Sequence, residues 1–397
     1  MGAFHDHSGR HAGEGKRFLH DRALALSCAS VVVGIATLMI TTSPAQAAAR
    51  RHHDSLSGVS CVGPSHCVAV GTYQLAKTQM ALAERWDGDT WSVMITPAPA
   101  QNYLSGVSCT GPRNCWAVSN AESETGIEHL QGMTWRIVAA PEPPEGLGGL
   151  LNGISCTSPP EACAAVGTEY YPMGESGTFT ERWRGPGAWH VSSSPPPSVT
   201  EPQSSLAAVS CTSKTNCMAV GDDEYAVLQN GQVVFDVGPI AESWNGSTWE
   251  GVTSPSSGTQ SSLSGVSCVS PADCWAVGTT NSPGGPALAE QWNGSNWSVV
   301  TLAGLTGLAA VSCVGAADCT AVSSSGDVIE HWNGTTWSSS LAQTRPGTSD
   351  FILTSISCTG ASNCMAVGSY VKKSSDQVNL AEHWNGTEWS IVRTPNR

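Results

Sequence analysis

Apolar and polar positions alternate along residues 55–397 in short runs bounded by Gly, Pro, Asn, Asp and Ser. The first set is Leu56-Ser-Gly-Val-Ser-Cys61, a five-residue interval, then Cys67-Val-Ala-Val-Gly71. A variable segment follows, then Ala83-Glu-Arg-Trp86, the turn Asp87-Gly-Asp-Thr90, and a fourth run from Trp91. Runs of this length and composition predict strands separated by turns. Four consecutive strands with short returns predict an antiparallel meander. Later copies show the third turn in its plainest form, as in Trp292-Asn-Gly-Ser-Asn-Trp297, Trp332-Asn-Gly-Thr-Thr-Trp337 and Trp384-Asn-Gly-Thr-Glu-Trp389. Asn-Gly supplies the positive φ that a tight hairpin turn needs.

The set recurs with a cysteine pair in every copy: Cys61/Cys67, Cys109/Cys115, Cys156/Cys163, Cys211/Cys217, Cys268/Cys274, Cys313/Cys319 and Cys358/Cys364. Successive pairs are 48, 47, 55, 57, 45 and 45 residues apart. Four strands at that period predict propeller blades. The fold class expected is all-β: a seven-bladed β-propeller of four-stranded antiparallel blades, with one disulfide per blade. The blades expected are about 56–103, 104–150, 151–205, 206–262, 263–307, 308–352 and 353–397, after a short linker at 48–55. A lone meander cannot bury both faces, whereas packing on two neighbours covers them. An open solenoid and a strand-swapped closure are the competing arrangements.

Composition changes the picture in two ways. With 42 Gly and 23 Pro the chain resembles a disordered one, but 40% hydrophobic residues and 15 Trp provide area for a core. The net charge is −14, and four of the 18 basic residues (Arg10, Lys16, Arg17, Arg22) lie in the first 22 residues, so no basic patch is left for nucleic acid. Those bases precede an apolar run, Ala23 to Ile40, and then Ala45-Gln46-Ala47, the pattern of a secretory signal peptide over residues 1–47. An uncleaved anchor is the alternative, and the only route to a membrane contact. Either way residues 48–397 are expected outside the cell, secreted and monomeric. Local cysteine pairs in that compartment are expected as disulfides, each closing a five-residue hairpin loop. A zinc site would need C-x2-C knuckles and paired His, and neither occurs.

Two residue types recur with the repeat. Glu84, Glu128, Glu181, Glu242, Glu290, Glu330 and Glu382 stand two positions before the turn Trp or its equivalent, on the same strand face. Burial between blades would require each to be hydrogen-bonded, so a clamp on a backbone N–H or Trp indole of a neighbouring strand or blade is expected. Thirteen of the Trp belong to the hairpin positions and are expected to pack between blades; Trp116 and Trp275 follow the second Cys. The Asn-x-Ser/Thr triplets at Asn245, Asn293, Asn296, Asn333 and Asn385 are mostly by-products of the Asn-Gly turn.

Function on a repeating scaffold concentrates where the repeat varies. The second connections of units 3 and 4 are the longest. They bring together Glu169, Tyr170, Tyr171 and Glu175 with Asp222, Asp223, Glu224 and Tyr225, an acidic and aromatic loop patch. Such a patch suits a sugar through tyrosine faces or Ca²⁺ through carboxylates. Paired carboxylates also serve glycosidic acid–base chemistry.

The unit S-C-x5-C-x-A-V-G … A-E-x-W-N-G-x-x-W resembles repeats of secreted bacterial, actinobacterial β-propeller proteins. The resemblance covers about residues 55–395, speaks to architecture and implies no activity. Kelch propellers are similar in repeat length and late Trp, but lack a counterpart here for their Gly-Gly pair. The sialidase Asp-box is similar around Gly-x-x-Trp, yet its Asp-x-Gly is absent, and only ten Arg follow residue 47. Unit 2 departs from the pattern at Leu130, and unit 3 has an extra residue in its Cys interval and its turn. The function expected is a non-catalytic binding or interaction propeller with no catalytic or metal residues and no obligate cofactor. Its partner would be a glycan, a cell-wall polymer or an extracellular protein. The alternatives are a polysaccharide-active enzyme, hydrolase or lyase, using the acidic loops, and a purely structural surface protein.

Overall fold

The computed structural model describes residues 53–396, apart from 98–101, 122–123, 144–146, 160, 173, 184, 186, 196–202, 230, 256–259, 282–284, 301, 303–305 and 345. The expected signal peptide at 1–47 lies outside the described residues. The described residues are all-β, and none of their elements is a helix long and apolar enough to cross a membrane.

Seven four-strand antiparallel meanders follow one another, each carrying one disulfide. Unit 1 has strands Ser55–Gly63, His66–Leu75, Thr78–Trp86 and Trp91–Met94, paired in sequence order. Units 3 and 4 are joined into one larger sheet by a single parallel bridge between Ser176 and Gln203.

The disulfides are Cys61–Cys67, Cys109–Cys115, Cys156–Cys163, Cys211–Cys217, Cys268–Cys274, Cys313–Cys319 and Cys358–Cys364. In every unit the two cysteines stand opposite each other, with Cα atoms 3.9–4.0 Å apart. They do not close a five-residue loop, as the sequence interval implied. The strands run on past them: a bulge after Cys61 lets Gly63 pair with His66, leaving only Pro64 and Ser65 as the turn. Nor do the two sulfurs share one environment. The second cysteine of each pair is a core residue: Cys67, Cys115, Cys163, Cys217, Cys274, Cys319 and Cys364 are none of them more than 3% exposed. The first cysteine of each pair is only half-buried. The difference arises because the second cysteine opens the second strand, which is covered on both faces. These bridges are therefore part of the packing between units, not of an open loop surface.

The third turn behaves as its sequence requires. The Oδ1 of Asn245, Asn293, Asn333 and Asn385 accepts two backbone N–H groups of its own turn. The next residue is glycine at φ between 93° and 100°.

The second strand explains the packing. In unit 1, Cys67, Val68, Ala69 and Val70 are all buried, so this strand has no solvent face. Val68 and Val70 join a cluster with Leu104, Val107, Cys115, Leu130 and Trp135 of unit 2. Cys67 and Ala69, pointing the other way, join Met365, Val367 and Ala381 of unit 7. Seven such clusters exist among the described residues, each shared by two units, and the last is shared by units 7 and 1. Each holds one second cysteine: Cys163 packs with Trp116 of unit 2, Cys217 with Val166 of unit 3, Cys319 with Trp275 of unit 5, and Cys364 with Val322 of unit 6.

A hydrogen-bond ladder follows the same order. The serine before each first cysteine accepts the N–H of the first cysteine of the next unit: Ser60 from Cys109, Ser108 from Cys156, Ser155 from Cys211, Ser210 from Cys268, Ser267 from Cys313, Ser312 from Cys358, and Ser357 from Cys61, all at 2.9–3.0 Å.

Each first strand also carries a bulge just after its leucine, as between Leu263 and Gly265. In units 1, 3, 4, 5 and 7 the residue opposite that leucine is the final Gly of A-V-G, with a first-strand carbonyl close against it, whereas units 2 and 6 carry Ser119 and Ser323 opposite the same bulge. A Cβ on Gly278 would lie 1.9 Å from the Ser262 carbonyl oxygen.

Candidate functional site

The seven recurrent glutamates are buried, none more than 4% exposed. Most reach the neighbouring unit. Glu290 accepts the Ser254 hydroxyl at 2.7 and 2.9 Å, Glu382 accepts the Gln343 N–H at 3.1 Å, and Glu84 accepts the Asn379 amide at 3.0 Å. Five of the tryptophan indoles expected as clamp partners are engaged elsewhere, and those of Trp91, Trp135, Trp189, Trp275, Trp297 and Trp337 have no hydrogen-bond partner among the described residues. In units 1, 4, 5, 6 and 7 the third-strand Trp donates to a carbonyl inside the cysteine turn: Pro64, Lys214, Pro271, Ala316 and Ala361. The indole reaches across its own unit, while the glutamate, two residues earlier, reaches out of it. Glu128 and Glu181 have no hydrogen-bond partner at either oxygen among the described residues.

Burial pushes these carboxyls up. Glu128, Glu242, Glu290 and Glu382 rise to about 7 and Glu181 to about 8, each chiefly by loss of water, with Glu142 adding repulsion at Glu181. Glu330 is raised by the same cause.

The tryptophans form packed pairs, with ring centroids 5.6–5.8 Å apart in units 1, 4, 5, 6 and 7. Trp116 packs on Trp183 and Trp189 of the next unit, and Trp275 on Trp332 and Trp337. They belong to the seams between units.

The eight residues singled out in units 3 and 4 are not mainly loop residues. The second strand of unit 3, Ala162–Tyr170, contains Glu169 and Tyr170, leaving Tyr171 and Glu175 in the return to Ser176–Trp183. In unit 4, Asp222, Asp223, Glu224 and Tyr225 all lie in the strand Asn216–Gln229, paired with Gln232–Trp244 in one long hairpin. Hydrogen-bond pairing continues because β-branched and aromatic residues fill both arms up to a Gly-containing tip. Two of the three tyrosines are packed within their own units: Tyr171 lies over Gly177 and bonds Glu169, and Tyr225 lies over Gly238.

Strand alternation divides the acids. Asp223 faces inward, 7% exposed, and accepts the Ser204 hydroxyl at 2.7 Å. Asp222 and Glu224 project from the opposite face. Asp222 is pushed up to about 6 by loss of water, then by repulsion from Asp223 and Glu224.

Asp223 opens onto a cleft of about 390 Å³ between units 3 and 4. Its walls also carry Glu242, the hydroxyls of Thr178, Ser204, Thr253 and Ser254, and the rings of Pro195 and Pro239. Of the eight residues, the cleft takes Asp223 alone. Glu242 was legible as a repeat residue but not as a wall of this cleft. The hydroxyls carried no signal, because three segments distant in sequence supply them. Among the described residues no three of His, Cys, Asp and Glu come together as a metal site.

No family model matches the sequence, and no curated protein matches it. Solved structures resemble the fold. YCF48 from Cyanidioschyzon merolae superposes with a TM-score of 0.51 at 15% identity, covering 80% of this chain and 96% of that one. YCF48 bound to a D1 peptide gives 0.50 at 14%, covering 79% and 90%. A catalytically inactive virginiamycin B lyase from Staphylococcus aureus with quinupristin gives 0.53 at 11%, covering 82% and 94%. At these identities the likeness shows the fold alone: the chain is a β-propeller.

Proposed function

We propose that this is a secreted, seven-bladed, non-catalytic binding propeller whose cleft between units 3 and 4 holds a glycan or cell-wall polymer. The seven shared clusters and the serine–cysteine ladder returning to Cys61 support the blade count. Seven disulfides belong to an oxidising compartment and support secretion. The observation that carries the binding reading is the cleft itself. It combines hydroxyls, two carboxyls and proline faces where neighbouring units meet, and its size suits a small ligand, for which roughly 300–1,000 Å³ is usual.

Two carboxyls in one cleft, with Glu242 raised to about 7, favour a glycosidase as the second reading. The shift does not single out Glu242, however, because its counterparts in four other units rise to about 7 or 8 by the same burial. A property repeated around the fold belongs to the fold. The deciding experiment incubates the disulfide-intact protein with immobilised cell-wall polysaccharides and glycans, with and without EDTA, and assays the same wells for released sugar. Retention without release is expected, lost on Asp223→Asn. Release lost on Glu242→Gln would establish the enzyme instead. EDTA-sensitive retention would add Ca²⁺ to the site. No retention on any glycan would end the glycan reading.

A further inference from the structure

We infer that the cleft between units 3 and 4 receives the ammonium group of an amino sugar, with Asp223 and Glu242 as its counter-charges. The inference rests on the binding reading and specifies the ligand. Its starting point is a charge left unbalanced. Among the residues lining the cleft there are two carboxyls and no Lys, Arg or His. Glu242 is 4% exposed, and its Oε2 has no hydrogen-bond donor among the described residues. Asp223 is nearly as buried, and it accepts a hydrogen bond from a neutral hydroxyl, Ser204. The ion pair formed among the described residues lies far off in unit 6, between His331 and Asp318.

A buried carboxyl without a cation is costly in its charged form, and it stays protonated or waits for one. The same buried glutamate recurs at the other six positions of the repeat, in the packing between units. Here the carboxyl lines a space a ligand can enter. An ammonium brings three N–H donors and one positive charge, which Glu242 Oε2 and Asp223 can share. The rest of the wall selects among cations. The hydroxyl oxygens of Thr178, Ser204, Thr253 and Ser254 can accept from the hydroxyls of a pyranose, Ser204 and Ser254 having already given their own protons to Asp223 and Glu290, and Pro195 and Pro239 offer flat apolar surfaces for its C–H face. A lysine side chain would use few of those hydroxyls, and an N-acetylated sugar would bring no charge.

The test is calorimetric titration of the disulfide-intact protein with a glucosamine oligomer, its fully N-acetylated counterpart and a lysine oligomer, at pH 6.5. The glucosamine oligomer is expected to bind about tenfold or more tighter than either rival. Asp223→Asn and Glu242→Gln should each cost about tenfold or more. Glu382→Gln, the same repeat position in unit 7, should leave affinity unchanged and control for a general effect on the fold. Should Glu242→Gln misfold, Asp223→Asn decides alone. Equal or tighter binding of the acetylated oligomer overturns the inference and leaves the binding reading standing. Equal binding of the lysine oligomer overturns the choice of sugar. Failure of both saccharides overturns the inference as well; whether the binding reading survives then depends on retention of any other glycan in the polysaccharide screen.

Discussion

At residue scale, the repeated motif marks places where backbone meets backbone. In the units that carry A-V-G, a first-strand carbonyl oxygen lies where the glycine Cβ would be, 1.9 Å away at Gly221 and Gly278 and 2.0 Å at Gly71 and Gly368, while units 2 and 6 pair the strands so that Ser119 and Ser323 fit at this position. Gly278→Ala should therefore lower stability by at least about 2 kcal/mol, since only backbone can move to make room. Gly63→Ala, with nothing within 4 Å of its Cβ and no positive φ, should lie within about 0.5 kcal/mol of the parent. Urea melts of the two variants check the pair, and equal effects would remove the steric account. The glycine could be read from the sequence as a repeat, but its crowding could not, because the carbonyl against it belongs to a different strand.

At the scale of the element, each meander is stapled twice. The disulfide links its first two strands, and the serine beside it grips the next unit. Breaking one staple, by Cys268→Ala with Cys274→Ala, should cost about 2 kcal/mol on the chain-entropy account of a short closed loop. Ser267→Ala should cost about 1–2 kcal/mol by leaving the Cys313 N–H without its acceptor. The two losses should add to within about 0.5 kcal/mol if the staples act on separate parts of the fold, and more strongly coupled losses would show they do not. The cysteine pairing was legible, since a separation of six or seven residues, repeated once in every unit, leaves little choice. The burial of the second cysteine was not, because the side chains that cover it belong to a neighbouring unit. The serine's role was hidden for the same reason, its partner being 46 residues away in the next unit. The long unit 4 hairpin was misread as a loop for a related reason. Asp222-Asp223-Glu224 reads as solvated, yet facing strands supply every hydrogen bond that extended backbone needs, including Asp223 with both Ser204 and Gly238.

At the scale of the whole molecule, the buried glutamates act together. The pKa values of Glu128, Glu181, Glu242, Glu290 and Glu382 rise from 4.5 to about 7 or 8 on folding, so the folded state holds more protons than the unfolded chain between those limits. Their stabilising contribution is full below about 4.5 and is lost as pH rises through about 7 to 8. Each carboxyl contributes up to about 3 kcal/mol to the difference. The melting temperature should fall from pH 5 to pH 8.5. Glu128→Gln, at a carboxyl with no hydrogen-bond partner, should flatten that fall and raise stability at pH 8.5. Thermal scans across that range decide it, and a melting temperature that rises with pH would refute the buried, proton-holding state.

What the sequence determined by itself is the repeat: seven cysteine pairs, the four-strand period, the Asn-Gly turns and the packing role of tryptophan. These depend on residues within one unit, whose spacing along the chain is also their spacing along a strand. The tertiary structure decided what lies between units. Serine's grip on the next unit, the burial of each second cysteine, the outward reach of Glu84, Glu290 and Glu382, and the cleft that joins Asp223 to Glu242 all arise there. The physical reason is that a blade buries both faces against its neighbours. Those contacts join residues about 50 positions apart, and no local pattern records which of them will face each other.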